Sequence, residues 1–152
     1  NKNDLSGKAF CRCSAVNHSR TIRSFVALFK SGLKTVKLTA GHYGYGWKHI
    51  KTKPDLNHYH IYDAFSNAST NTEQLFLNSI AYTLAKPSFD PYPGSGNGNV
   101  VFTRKLDLID VNLGLRHSFT FYVVVNEAEM TVTTAYGQYL GSKSLFGGNR
   151  VF

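Results

Sequence analysis

The chain predicts an α+β domain in which N-terminal helices pack on one face of a small antiparallel sheet. Three observations lead there. Apolar residues recur at helical spacing before residue 85, the period changes to two after residue 100, and the stretch between carries Pro87, Pro91, Pro93, Gly94, Gly96 and Gly98. With 152 residues and 42% hydrophobic content the chain can bury one substantial core, so residues 1–152 read as a single domain. Residues 1–16 read as a loosely ordered N-terminal extension, 17–136 as the core, and the Gly- and Ser-rich 137–152 as a weakly anchored C-terminal tail. The start at Asn1 without Met suggests a piece processed from something longer.

A helix is expected over about residues 20–31. Asn17 or Ser19 can cap it, Ile22, Phe25, Val26 and Phe29 repeat at i, i+3, i+4 and i+7, and Gly32 stops it. Residues 33–40 read as extended, with Val36 and Leu38 set between Lys34, Lys37 and Thr39. Glycines at 41, 44 and 46 make a loop, after which Trp47 and Ile50 form the buried side of a helical turn that turns Lys48, His49 and Lys51 outward. Residues 55–67 are dense in Tyr and His and carry no clear period. Thr70 and Glu73 have the spacing of a capping box, and Phe76, Leu77, Ile80 and Leu84 continue as one apolar helix face. Residues 86–99 read as a surface loop. Residues 100–111 and 115–125 are strands, residues 126–129 a turn, and residues 130–136 a third strand, together an antiparallel meander.

Formal charge is +8, and residues 1–60 hold eleven Lys or Arg against only Asp4 and Asp55. A polyanion is the partner such a lopsided distribution fits best. The longest apolar run, Phe121 to Val125, is far too short for a membrane span. Cys11 and Cys13 sit too close for a comfortable disulfide. As metal ligands they would need two more soft donors, His18 among them, so they read as structural or incidental thiols.

Residues 41–53 concentrate the chemistry. Two imidazoles, three ammonium groups and three aromatic rings occupy thirteen positions without one carboxylate. Cations suit phosphate, rings suit unstacked bases, and histidine moves protons near neutrality. RNA carries its own nucleophile, the 2′-hydroxyl, so a protein cleaves it with an acid/base pair and a cation and needs no metal or other cofactor. His49, flanked by Lys48 and Lys51, is the leading acid/base candidate, and His42 lies in the same loop. Thr134 and Tyr136 are one strand period apart and share a face, where they could bind phosphate or orient the attacking hydroxyl. Tyr43, Tyr45, Lys53, Arg104 and His58 are candidates to hold RNA, and Arg104 and His117 are reserves for the catalytic roles. Two rivals stand beside this reading: a metal-dependent DNase built on His58 and His60, and a basic RNA-binding module without catalysis.

The segment Gly44 to Ile50, Gly-x-Gly-Trp-Lys-His-Ile, followed by a helix and then by strands ending in Val-Thr-Thr-Ala-Tyr-Gly at 132–137, resembles the C-terminal RNase toxins of bacterial polymorphic and contact-dependent inhibition systems. In particular it is similar to the barnase/EndoU/colicin/RelE group, over about Gly44 to Gly137. The resemblance implies a metal-independent RNase, often one that acts on tRNA. It also implies delivery as part of a larger secreted or surface protein into the cytoplasm of a target bacterium, and a cognate immunity protein, which charge complementarity makes acidic. It implies His49 as acid/base, Lys48 or Lys51 as phosphate electrostatics, and Thr134 and Tyr136 as site residues. Two departures concern the second catalytic group: Gly137 stands where Pro commonly follows the Tyr, and the next basic-His step is displaced to Asn57-His58. His42, His58 or Arg104 could fill that place.

Overall fold

A computed structural model describes residues 17–52, 72–96, 98–110 and 115–139. The elements run β1 (Thr21–Phe29), β2 (Gly32–Thr39), α1 (Gly46–Thr52), α2 (Thr72–Ala85), β3 (Tyr92–Pro93), β4 (Asn99–Asp110), β5 (Leu115–Asn126) and β6 (Thr131–Tyr139). They form a six-stranded sheet in the order β1-β2-β6-β5-β4-β3, with both helices on one face.

The helix expected over 20–31 is instead β1. Its apolar residues satisfy both periods: Phe25, Ala27 and Phe29 are buried, and the alternate Val26 and Leu28 are exposed. A partner strand two residues away decides the matter. Lys30 and Ser31 turn the chain, Gly32 takes φ +126°, and β2 pairs back along the full length of β1. Pairing supplies every other backbone group with a ladder bond, and the β-branched and aromatic content of Thr21, Ile22, Phe25 and Val26 favours it. The N-terminal layer is thus a hairpin, and the helices follow it.

Residues 33–40, the helical turn at Trp47 and Ile50, the second helix and the meander form as their patterns predict, except that the last strand runs on to Tyr139 through residues expected to begin the tail, because Gly137, Gln138 and Tyr139 keep pairing with Phe121, Thr120 and Phe119. Thr70, the expected cap of α2, lies outside the described residues, as do 1–16 and the tail beyond Tyr139. Two features have no local signal. Tyr92 and Pro93 add a short strand to the edge of β4. The sheet is mixed, because β2 runs parallel to β6, joined where the Lys37 N–H donates to the Met130 carbonyl at 3.0 Å.

The sheet curls around its apolar face. Phe29 on β1 and Phe102 on β4 stand four strands apart, about 19 Å in a flat sheet, yet their rings meet edge-on at 5.1 Å. Across that concave face lies α2, which buries Phe76, Ile80 and Leu84, and Phe76 meets Phe121 at 5.2 Å. Trp47 of α1 reaches the same cluster, 6.2 Å from Phe76. Among the described residues no helix is long and apolar enough to cross a membrane.

Candidate functional site

The loop from Gly41 to Gly46 joins β2 to α1 and is closed on itself. The His42 N–H donates to the Tyr45 carbonyl at 2.8 Å and the Tyr45 N–H returns to the His42 carbonyl at 3.2 Å, leaving Tyr43 and Gly44 at the tip. Gly41 and Gly46 both adopt left-handed φ, +71° and +77°, and their backbones touch: a Cβ on either would fall within 2.8 Å of the other's Cα. Only hydrogen at both positions lets this loop close. The Lys48 N–H then donates to the Ala40 carbonyl at 2.9 Å, so α1 starts at once from the pinched base.

Three imidazoles bear on this loop. His18, just before β1, has Nδ1 2.8 Å from the Gly41 carbonyl, and His49 on α1 has Nδ1 2.6 Å from the Tyr43 carbonyl. A carbonyl only accepts, so in both rings Nδ1 carries the hydrogen and Nε2 is the nitrogen that exchanges protons in the neutral form. His42 is arranged oppositely: its Nδ1 accepts the Gly44 N–H at 3.3 Å, which leaves the hydrogen on Nε2. The His18 and His42 rings meet edge-on with centroids 5.6 Å apart, and His42 stacks on Tyr45 at 5.8 Å.

Beside the loop, β2 and β6 part after their single paired position and open a groove of about 590 Å³. Lys37, Thr39, Tyr45, Thr131, Thr133 and His18 line it, with Asn99, Asn126 and Glu129 at its other end. Strand register puts Lys37, Thr39 and Thr131 on the convex face, because Val36, Leu38 and Val132 point into the core. Thr133 is the extra residue of a bulge, since Val124 pairs with Thr134 and Val125 with Val132. Bulges re-aim side chains in this way. A larger cleft, about 780 Å³, lies where the β1–β2 turn approaches β3, but it sets Lys30 against Asp90 and Glu127 and so does not favour a polyanion.

The structure distributes the sequence-predicted residues unevenly. His42, Tyr43, Tyr45, Lys48 and His49 gather around the loop, with the Lys48 ammonium 4.3 Å above the Tyr43 ring. Lys51 turns instead to α2, 3.4 Å from the Glu73 carboxylate and 5.1 Å over the Trp47 ring. Arg104 binds the end of α2, donating to the Lys86 carbonyl at 2.6 Å and to the Tyr82 hydroxyl at 2.9 Å. That is a structural post: a cation on the carbonyl end of a helix.

Thr134 and Tyr136 do not join His49. Phe121 and Gly137 face the helices, so their neighbours Tyr122 and Tyr136 rise from the convex side, where they stack at 5.0 Å, and Thr134 shares that side with its hydroxyl sealed from solvent. His49 belongs to α1, which packs on the concave side. The expected convergence fails because alternation sends every second residue of β6 away from the helices. In its place Thr131 and Thr133 meet the loop's Tyr45 across the groove. Tyr92 lies by the tyrosine stack, its phenol pushed up by burial and by the proximity of Tyr122. Lys53, His58 and His60 lie outside the described residues, and so does the side chain of His117, whose backbone pairs with Leu108.

His18 and Lys37 are the residues that sequence reasoning missed. A hairpin reading of 21–39 would have found them, because Thr21 pairs with Thr39 and the ladder's continuation brings His18 to Gly41. Comparison with models of known protein families, with curated proteins and with solved structures finds no match.

Proposed function

We propose that this chain is an endoribonuclease domain that cuts structured RNA, tRNA foremost, by attack of the 2′-hydroxyl on its own phosphodiester. The observation that carries the reading is the gathering of His18, His42 and His49 around one glycine-pinched loop beside a groove that presents Lys37 and threonine hydroxyls. Such a site offers what the reaction demands: nitrogens that take and give a proton, donors for the phosphorane oxygens, and a cation for its charge. His49 remains the leading acid/base group. Lys37 and Lys48 supply charge, and Tyr43 and Tyr45, 65% and 43% exposed, offer faces to unstacked bases. Thr131 and Thr133 offer hydroxyls to phosphate in the groove, beside His18 and Lys37.

Biologically, the motif order of Gly44 to Gly137 supports an antibacterial toxin carried by a larger secreted or surface protein into a rival cell. A positive charge of +8 then calls for an acidic immunity protein in the producer.

Incubation of purified protein with total RNA in EDTA tests the chemistry. The expected products are tRNA fragments ending in 2′,3′-cyclic phosphate and 5′-hydroxyl. RNA that is bound but left intact, across pH and with divalent ions supplied, would reduce the chain to a binding module. DNA cut only when metal is supplied would support the histidine-metal rival.

A further inference from the structure

We propose that the groove between β2 and β6 reads the base next to the scissile phosphate and selects guanine through Glu129 and Asn126. The inference rests on the nuclease reading above and names the nucleotide that its site takes.

The groove changes character along its length. β2 and β6 run parallel from the pairing of Lys37 with Thr131, so Thr39 and Thr133 lie further along, toward His18 and Tyr45, and the β5–β6 turn that carries Glu129 lies behind. Asn126 ends β5 beside that turn, and Asn99 pairs with it across the ladder. A cation, hydroxyls and an imidazole thus fill one part of the groove, and a carboxylate with two amides fills the other. A nucleotide is divided in the same way, into an anionic phosphate and a base edge that carries N–H donors and carbonyl acceptors. The groove's volume of about 590 Å³ falls within the range of small-ligand sites.

Hydrogen bonds at the acidic end decide which base it takes. The Asn126 Oδ1 accepts the Glu129 N–H at 3.0 Å, which commits the amide oxygen and leaves the NH₂ to donate. The Asn99 Nδ2 donates to the Ser95 carbonyl at 3.0 Å, which leaves its Oδ1 to accept. Glu129 is exposed, its carboxylate only accepts, and among the described residues no ion pair engages it. This end therefore offers one donor group beside several acceptors. The pairing edge of guanine is the complement: O6 accepts, while N1–H and the N2 amine donate side by side, a fork that one carboxylate takes with both oxygens. Adenine and cytosine set a single amine beside a bare ring nitrogen, and uracil sets a single N–H between two carbonyls. Each of those edges leaves an acceptor facing a carboxylate oxygen, which counts against it. Tyr45, at the other end of the groove, is placed to stack the neighbouring base.

Calorimetric titration with nucleotides tests this without any cleavage. The probes are the 3′- and 5′-monophosphates of guanosine, inosine, adenosine, cytidine and uridine; inosine differs from guanosine only in lacking the N2 amine. In one of the two phosphate series guanosine should bind about 10-fold or more tighter than adenosine, cytidine and uridine, with inosine between. Glu129→Gln keeps the size of an exposed turn residue and replaces one acceptor with a donor, so the fold, checked by circular dichroism, is retained. It should bring guanosine within about twofold of adenosine and leave adenosine within about twofold of its wild-type affinity. Wild-type protein that binds the four standard bases alike, or binds none of them, overturns the proposal, and so does an undiminished guanine preference in E129Q. Mapping the cuts in total RNA separates this inference from the reading beneath it. Cuts placed without regard to guanosine overturn the base assignment while the nuclease reading stands. Selective guanylate binding by a wild-type protein that leaves RNA intact overturns the nuclease reading and keeps the groove as a nucleotide-binding site.

Discussion

The concave and convex sides of the sheet are built from the same strands and obey different rules. On the concave side Phe76, Phe119 and Phe121 are fully buried and meet edge-on, Phe102 meets Phe29, and two cations near that side hold helices: Lys51 on Glu73, Arg104 on the end of α2. On the convex side Lys37, Thr131 and Tyr45 stand along an open groove that the His18 imidazole also lines. One short segment serves both. Trp47 and Ile50 anchor α1 in the core, and that anchoring holds His42, Tyr43 and Tyr45 in place outside it. The lesson is that the loop's position is set by its apolar neighbours, which single-residue reading of a basic motif overlooks.

The largest expected effect is on the concave side. Phe76 touches Trp47 and Phe121 and has no exposed surface, so Phe76→Ala leaves a cavity and should cost about 3–5 kcal/mol of stability in denaturant unfolding. If the side chain behind α1 positions the loop, RNA cleavage should fall well below the denaturation midpoint. A variant that loses the stability and keeps full activity up to global unfolding would show that the two sides are uncoupled.

Arg104 comes next. Both of its bonded nitrogens serve the end of α2, so Arg104→Ala should destabilise by about 1–3 kcal/mol and leave RNA affinity and its salt dependence unchanged. An affinity loss with unaltered stability would return Arg104 to the nucleic-acid interface and erase the division of labour between the sides.

Gly41→Ala probes the pinch itself. The methyl group would run into the Tyr45 carbonyl oxygen and the Gly46 Cα in a left-handed conformation, so the loop must open or the backbone must strain, at a cost of about 1–3 kcal/mol. The expected signature is a drop in kcat larger than the drop in stability explains, because His18 and His49 lose the carbonyls that orient them. Unchanged kcat would mean that the loop does not order those rings.

How much of this was legible follows from which forces are local. The meander and α2 announce themselves through period, since each has one buried face and a sequence long enough to show it. β1 does not, because Ile22, Phe25, Val26 and Phe29 fit a helix stripe as well as a strand, and the pairing with β2 chooses. Misreading β1 hid His18, whose place at Gly41 is a consequence of the hairpin ladder. The parallel contact of β2 with β6, and the groove it opens, joins residues more than ninety positions apart, Lys37 with Thr131, and no short-range pattern encodes it. Thr134 and Tyr136 were placed on a common face correctly; which face that is depends on the register of β5 and on the helices. The gathering of His49 and Lys48 beside Tyr43 was foreseeable, because residues so near in sequence, with Trp47 and Ile50 buried, make a local cluster.

The smallest effect is the most discriminating, since it sets two lysines against each other. Lys37 stands in the groove on the convex side, and Lys51, its side chain 34% exposed, faces Glu73 3.4 Å away. A lysine that meets phosphate releases counterions on binding, so Lys37→Ala should lower the slope of log affinity against log salt by about 0.7–0.9, with a modest loss of affinity at physiological salt. Lys51→Ala removes a cation that already has a carboxylate partner and should change the slope much less. Titrations of both variants with tRNA over a range of salt, each beside wild type, decide it. Equal slopes for the two variants would mean that RNA lies across the helical side as much as along the groove, and the groove would then lose its claim to the scissile phosphate.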